Sequence, residues 1–142
     1  MPASTQTFAK LPEQWRSNLQ KRSDSWPQNI LFSTLAGLCG ALAIAAYAGA
    51  AHGGENHLGN IAPLLLGHAP AFLALSLIVP GSRVAYLGGA LLALGLALFC
   101  GDLFMRDMTD DRLFPMAAPT GGSLMILGWL VVAVAGWFSR TK

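Results

Sequence analysis

The chain has 142 residues, of which 54% are hydrophobic and only 11% are charged, with 16 glycines and a formal net charge of +2. Soluble domains carry about 25% charged residues, so this composition excludes an ordinary soluble enzyme, a disordered tail and a secreted disulfide scaffold. The small net charge also excludes an extended nucleic-acid-binding surface. Because the hydrophobic residues are clustered in long runs, we predict a small integral membrane protein.

Residues 1–29 precede the first apolar run and form a separate N-terminal segment. Leu11, Trp15 and Leu19 recur at every fourth position, and Pro12 is suited to the start of a helix. This pattern predicts a short amphipathic helix on the membrane surface. A solvated tail is the alternative.

Four apolar runs follow, at residues 30–51, 61–79, 84–104 and 121–138. A hydrocarbon core of about 30 Å needs about 20 helical residues, and the runs lack the alternation of barrel strands. We therefore predict an all-α fold, a bundle of four transmembrane helices over residues 30–138, with a short tail at 139–142. The first run is too long for the apolar region of a signal peptide, which disfavours cleavage after it.

The basic residues predict the orientation of this bundle. Most of them fall on the side of the two termini: Lys10, Arg16, Lys21, Arg22, Arg83, Arg140 and Lys142. By the positive-inside rule, both termini should therefore be cytoplasmic. Trp26 and Trp137 would then lie at the cytoplasmic interface, where indole rings are favoured.

Small residues recur at every fourth position along two of the predicted spans. The stripe of the first span is Ser33, Gly37, Ala41, Ala45 and Gly49, and that of the third is Ala85, Gly89, Ala93, Ala97 and Gly101. Because small residues let membrane helices approach closely, we expect these two spans to pack on one another, or each to pack against another copy. In the fourth span the packing candidates are Gly121, Gly122 and Gly128.

Polar side chains gather toward the outer side of the predicted bundle. Ionisable groups in a membrane are costly and are therefore candidates for function. His52, His68 and Asp102 are such groups, and Trp129, deep in its span, needs a partner for its N–H. These four residues predict a polar pocket in the outer leaflet. The alternative is structural, with Asp102 paired to Arg106 four residues further on.

Pro70 predicts a kink in the second span. Proline has no N–H, so the carbonyl of Leu66 loses its helical partner. His68 lies close enough in sequence to donate a hydrogen bond to that carbonyl. Such a role would make His68 structural rather than functional.

The sequence predicts neither a metal nor a cofactor. Three acids that follow the third span lack the pattern of a calcium loop and are expected to form a solvated turn: Asp107, Asp110 and Asp111. His52 and His68 differ in depth by about 10 Å, which disfavours a shared haem. Cys39 and Cys100 are also expected at different depths and unpaired. Because nucleophile, phosphate-loop and zinc-protease motifs are missing from the sequence, we predict a non-enzymatic protein.

Several segments resemble a known family. They are YAGAAHG at residues 47–53, GHAPAFLAL at 67–75, LFCGDLF at 98–104 and APTGG at 118–122, followed by Gly128 and Trp129. Over residues 33–138 the chain is similar to the bacterial inner-membrane family called domain of unknown function 423, related to the transmembrane protein 256 family. The resemblance implies a four-span inner-membrane fold and no established reaction. Members usually carry a second histidine where this chain has Leu65, so a paired-histidine site is not expected.

Three functional hypotheses follow from these features. The first is a protein that works through helix contacts in the lipid bilayer, as a homo-oligomer or as an accessory subunit of a larger membrane complex. The second is a transporter or ligand-binding protein with an outer-leaflet pocket around His68 and Asp102. The third is binding of haem or quinone in an electron-transfer assembly.

Overall fold

The computed structural model describes residues 10–53, 56–79 and 82–138, and for residues 22–29 and 138 it describes the backbone only. Four helices are present in these ranges: α1 (Glu13–His52), α2 (Leu58–Ile78), α3 (Arg83–Thr109) and α4 (Ala117–Phe138). No strand occurs in the same ranges, which confirms the all-α prediction. Each helix contains a stretch long and apolar enough to cross a membrane, so the four predicted spans are confirmed as well.

The first helix is longer than the sequence suggested. α1 is one helix of 40 residues, and the stretch that can cross a membrane is Ile30–His52. It begins after Pro12, whose carbonyl accepts hydrogen bonds from the backbone N–H groups of Trp15 and Arg16 at 2.9 and 3.2 Å. The described part of the segment predicted to be amphipathic therefore belongs to α1 and is not a helix with its own end. Trp26 was predicted to lie at the cytoplasmic interface, but its side chain is outside the part of the chain that the structure describes.

The four helices form two antiparallel hairpins. α1 packs closely on α2, and α3 packs closely on α4, whereas contacts between the two pairs are sparse. The connection from α2 to α3 is short: the N–H of Ser82 bonds to the carbonyl of Val79 at 3.0 Å, and the Ser82 side chain caps α3 by accepting from the N–H of Ala85. We call the end of the bundle that carries this connection the terminal end. The opposite end, which carries Gly53, residues 56–57 and residues 110–116, is the distal end.

The buried positions of one series in each helix are spaced by three, four or seven residues. They are Phe32, Ala36, Cys39, Ala43 and Ala46 in α1; Ile61, Leu65, His68, Phe72 and Leu75 in α2; Ala85, Gly88, Leu92, Gly95 and Asp102 in α3; and Ala118, Gly121, Met125, Gly128 and Ala135 in α4. A mean spacing of 3.5 residues is typical of left-handed packing in helix bundles. It keeps each packed face in register along its partner.

Ala85 and Gly89 of the predicted small-residue stripes are buried, but the stripes do not follow the packed faces along the helices. A step of four residues advances about 40° around a helix, so a five-member stripe turns away from its partner. Ser33, Gly37 and Ala41 are accordingly exposed on α1. The predicted packing of span one along span three is not found, because α3 packs on α4 and meets α1 near the terminal end, where Phe32 lies against Gly89. The alternative, contact with another copy, stays a prediction.

Glycines bring the backbones of α3 and α4 into contact. A Cβ atom at Gly95 would lie 2.7 Å from the carbonyl oxygen of Gly121, and one at Gly128 would lie 2.9 Å from the backbone nitrogen of Leu92. Any larger residue would push the helices apart, since real Cβ atoms essentially never come this close. Gly121 and Gly128 were packing candidates in the sequence, whereas Gly88 and Gly95 were missed because they recur at seven residues rather than four.

Candidate functional site

An apolar groove of about 580 Å³ lies between α1, α2 and α3. Its walls include Leu38 and Leu42 of α1, Leu65 of α2, and Ala97 and Cys100 of α3. None of the lining residues is charged. On the terminal side of the groove, α1 and α3 meet where Phe32 lies against Gly89.

An aromatic cluster closes the groove on its terminal side. The ring of Phe32 stacks on Phe72 with a centroid distance of 6.2 Å, and it meets the edge of Tyr86 at 5.9 Å. The absence of a side chain at Gly89 makes room for Phe32, since a Cβ there would lie 2.5 Å from its ring. Phe72 also lines the groove, so this cluster forms the floor of the groove.

A histidine–aspartate contact joins the two hairpins at the distal end. The carboxylate of Asp107 in α3 accepts the backbone N–H of His57 at 2.9 and 3.1 Å, and the His57 Nδ1 atom at 2.5 Å. A carboxylate of this kind only accepts hydrogen bonds, so Nδ1 carries the proton. His57 is the N-cap residue of α2, and Asp107 therefore also places negative charge at the N-terminus of that helix.

The prediction that Asp107 lies in a solvated turn is wrong. α3 continues to Thr109, which keeps Asp107 in the helix and turns it toward the start of α2, where its side chain is only 10% exposed. Asp110 and Asp111 are exposed, as predicted. No spacing in the sequence reveals the contact with His57, because the two residues come from different hairpins.

Asp102 is fully buried, and its carboxylate accepts hydrogen bonds from two groups near the distal end. Its Oδ2 accepts a hydrogen bond from Arg106 at 2.5 Å, which confirms the predicted pair. Its Oδ1 accepts the backbone N–H of Leu113 at 3.0 Å. This second bond ties the connection between α3 and α4 to the end of α3, a role that spacing in the sequence did not indicate.

His68 is 7% exposed and lies beside Trp129 of α4, with ring centroids 5.8 Å apart. Its Nδ1 lies 2.8 Å from the carbonyl oxygen of Leu64, so the expected acceptor, Leu66, is wrong by two residues. The acceptor that lies four residues before His68 is within reach of a ring folded back along the helix. Because a carbonyl only accepts, Nδ1 is the donor. The other ring nitrogen, Nε2, is buried and has no hydrogen-bond partner among the residues that the structure describes.

The four residues of the predicted polar pocket do not share one set of contacts. His68 and Trp129 are neighbours, Asp102 is bound by Arg106 and Leu113, and His52 is exposed at the end of α1. Within the described ranges, no group of three or more His, Cys, Asp or Glu side chains could hold a metal ion. Pro70 lies inside α2, which continues on both sides of it.

The other packing candidates fall in several environments. Ala45, Ala93, Ala97 and Gly101 line the groove. A Cβ at Gly49 would lie 2.8 Å from Leu58, and one at Gly122 would lie 3.9 Å from Phe99, whereas one at Gly37 would meet nothing within 4 Å. The two free cysteines, Cys39 and Cys100, both line the groove.

Comparison with known proteins places this geometry in a family. The family model described as "Protein of unknown function (DUF423)" matches residues 48–122, just over half of the chain. The chain belongs to this family. The match covers the distal part of α1, all of α2 and α3, and the start of α4, and it confirms the resemblance inferred from the sequence motifs.

Relatives of this family are described as membrane proteins. A UPF0382 membrane protein of Staphylococcus haemolyticus is 31% identical over 114 residues, which cover 74% of this chain and 93% of the relative. UPF0382 membrane proteins from two strains of Staphylococcus epidermidis are 40% identical over 47 residues. That match spans 33% of this chain and only 38% of each relative. No solved structure matches the chain. The protein is therefore a multi-pass membrane protein of a family whose function is unknown.

Proposed function

We propose that this protein works through helix contacts in the bacterial inner membrane, as an oligomer or as an accessory subunit of a membrane complex, and that it is not an enzyme. The observation that carries this proposal is the uncovered face of α1. Ser33, Gly37 and Ala41 are exposed there, and a Cβ at Gly37 or Gly40 would meet no atom of the described residues within 4 Å. Both termini would lie in the cytoplasm, as the distribution of basic residues indicates.

Membrane helices associate through such faces because small residues allow close backbone approach. Moving a leucine from lipid into a helix contact gains no hydrophobic free energy, because lipid tails are equally apolar. The area of an exposed apolar face is therefore not what drives association. The face of α1 differs from the α3–α4 contact in one respect. Gly88, Gly95, Gly121 and Gly128 already form contacts between α3 and α4, whereas Gly37 and Gly40 of α1 meet no described neighbour. A helix from another copy or another protein supplies the missing contact.

Cysteine cross-linking in native membranes tests this proposal. In a chain whose native cysteines are replaced by alanine, Ala41→Cys should form a disulfide-linked dimer after mild oxidation. Ala133→Cys is the matched control, because Ala133 is also exposed but lies on α4. Equal cross-linking at both positions would contradict a specific contact. A monomer without partners in native mass spectrometry would contradict association altogether.

The second candidate is binding of a small polar molecule at His68. It is supported by the buried Nε2 atom, because a buried polar group without a hydrogen bond costs about 1–3 kcal/mol and a ligand can remove that cost. Asp102 is not available for this role, since Arg106 and Leu113 already bind its carboxylate. The candidate site is therefore limited to His68 and Trp129.

Mass spectrometry of small molecules extracted from the purified protein tests this candidate, and it covers quinone and haem as well. A molecule that co-purifies with the unchanged protein and with the His52→Ala variant, but not with His68→Ala, would support binding at His68. His52 is the matched control because it is exposed. Identical extracts from all three proteins would exclude the candidate.

A further inference from the structure

We infer that the groove between α1, α2 and α3 holds one acyl chain of a phospholipid from the distal leaflet. This site goes beyond the proposed function, because it does not involve the uncovered face around Gly37. It also differs from the site at His68, which is not among the groove-lining residues. The occupant follows from three properties of the groove: its chemistry, its length and its two ends.

The chemistry of the walls selects hydrocarbon. Leu38, Leu42, Leu96 and Phe104 contribute apolar surface, and the lining contains no charged or amide side chain. Water would find no polar partners there, and an empty groove would forfeit van der Waals contacts along its whole lining. A quinone ring is a poorer occupant than an acyl chain, because its carbonyl oxygens would be buried without donors.

The groove extends from the distal end past the middle of the bilayer, because its lining in α2 runs from Leu58 to Phe72, about 21 Å of helix. Its lining extends over residues 35–46 of α1 and residues 93–104 of α3, which at 1.5 Å per residue is about 16 Å of each helix. Half of a hydrocarbon core of about 30 Å is about 15 Å. The volume of about 580 Å³ falls within the range of about 300–1,000 Å³ that is typical of small-ligand sites.

The two ends of the groove determine the direction of the acyl chain. The cluster of Phe32 and Phe72 closes the terminal side, where Phe32 lies two residues inside the terminal end of the first span. Leu58 lines the opposite side, next to the contact between His57 and Asp107. The polar head of the lipid would therefore lie among the polar groups of the distal end while the chain points toward the aromatic floor.

Small side chains in α3 provide the space for the acyl chain. Ala93, Ala97 and Gly101 line the groove along one wall, and Ala45 contributes from α1. A phenylalanine at Ala97 would project into this space and overlap with an acyl chain. Ala90 is the matched control, because it is an exposed alanine of the same helix that does not line the groove.

Photolabelling in nanodiscs tests the inference. The full chain is reconstituted with a phospholipid that carries a diazirine in its acyl chain, and adducts are mapped by mass spectrometry. In the unchanged protein, adducts should concentrate on groove-lining residues such as Leu42 and Ala97 rather than on Leu130 of α4, which is equally exposed to lipid. In Ala97→Phe the groove adducts should fall about tenfold, the change produced by an overlap of ~1.4 kcal/mol. Ala90→Phe should leave them unchanged.

A second variant and a second readout keep the test decisive if Ala97→Phe fails to fold. Ala45→Phe fills the same space from the opposite wall, and it should reduce the adducts in the same way. Cys100 lines the groove, so its alkylation by a maleimide in detergent should slow when phospholipid is added.

Three outcomes would overturn the inference. They are adducts spread evenly over all exposed faces, unchanged adducts in both filled variants, and cross-links from the groove to a second protein chain. Preferential labelling by a photoactivatable quinone in a parallel sample would also overturn it in favour of that ligand. None of these results affects the Ala41→Cys experiment, so failure here is distinguishable from failure of the proposed function.

Discussion

At the scale of single residues, the closest helix contact depends on the side chain that glycine lacks. Gly128→Ala would place a methyl group 2.8 Å from Leu92 Cγ, and we expect a loss of about 1–3 kcal/mol in the free energy of unfolding, as for other overpacked sites. Gly136→Ala in the same helix should be neutral or slightly stabilising, because nothing lies within 4 Å of the added atom. Thermal unfolding in detergent, followed by circular dichroism, measures both. Equal stabilities would contradict the contact between α3 and α4.

Asp102 provides the second residue-scale prediction. Asp102→Asn removes the charge that faces Arg106 and weakens the bond to the Leu113 N–H, so the free energy of unfolding should fall by about 1.5–3 kcal/mol. Asp110→Asn is the control, because it makes the same change of charge at an exposed position. Asp110 has a left-handed backbone conformation, which asparagine also tolerates. The same melting experiment compares them. A larger effect at Asp110 would show that the connection after α3, and not the buried carboxylate, controls stability.

Residues also show where prediction from the sequence stops. The pair of Asp102 and Arg106 was predictable because both residues lie on one helix at a fixed spacing. The contact of Asp107 with His57 was not, since it depends on how two hairpins meet. His68 illustrates the intermediate case: its bond to a backbone carbonyl was expected, but the acceptor is Leu64 rather than Leu66.

At the scale of helices, the sequence predicts where the four spans lie better than it predicts which residues pack them together. The four spans follow from hydropathy and length alone, and their bounds agree within a few residues. Which helices pack together depends on the spacing of the residues at the contact, four or seven. The stripes at every fourth residue were conspicuous because alanine and glycine are abundant, yet α3 and α4 meet at Gly88, Gly95, Gly121 and Gly128, which repeat at seven residues.

The contact between His57 and Asp107 makes a prediction at the same scale. Asp107→Ala removes every bond between this side chain and the start of α2, so the two hairpins should separate at the distal end. Cys100 lines the groove and is half-buried, and we expect its alkylation by a maleimide to become several-fold faster. Asp111→Ala should leave the rate unchanged, because Asp111 is exposed and accepts a hydrogen bond from the neighbouring Arg112 N–H rather than from α2. A slower rate in Asp107→Ala would contradict this role.

At the scale of the whole molecule, the even number of spans places both ends of the helical bundle on one side. The basic residues predict that this side is the cytoplasm. In a chain without native cysteines, Thr109→Cys should react with a membrane-impermeant maleimide in intact cells. Ser17→Cys should react only after the membrane is permeabilised, although both positions are exposed. The reverse pattern would invert the predicted topology.

The glycine contact between α3 and α4 also bears on how the bundle responds to bilayer thickness. α3 has 27 residues, about 40 Å of helix, which exceeds a hydrocarbon core of about 30 Å. A helix that is too long for its bilayer tilts, and α3 cannot tilt alone because its backbone is in contact with that of α4. The pair would lean as one body, and the sparse boundary with α1 and α2 would absorb the movement. Thinner or thicker membranes would then change the width of the groove rather than the packing of either hairpin.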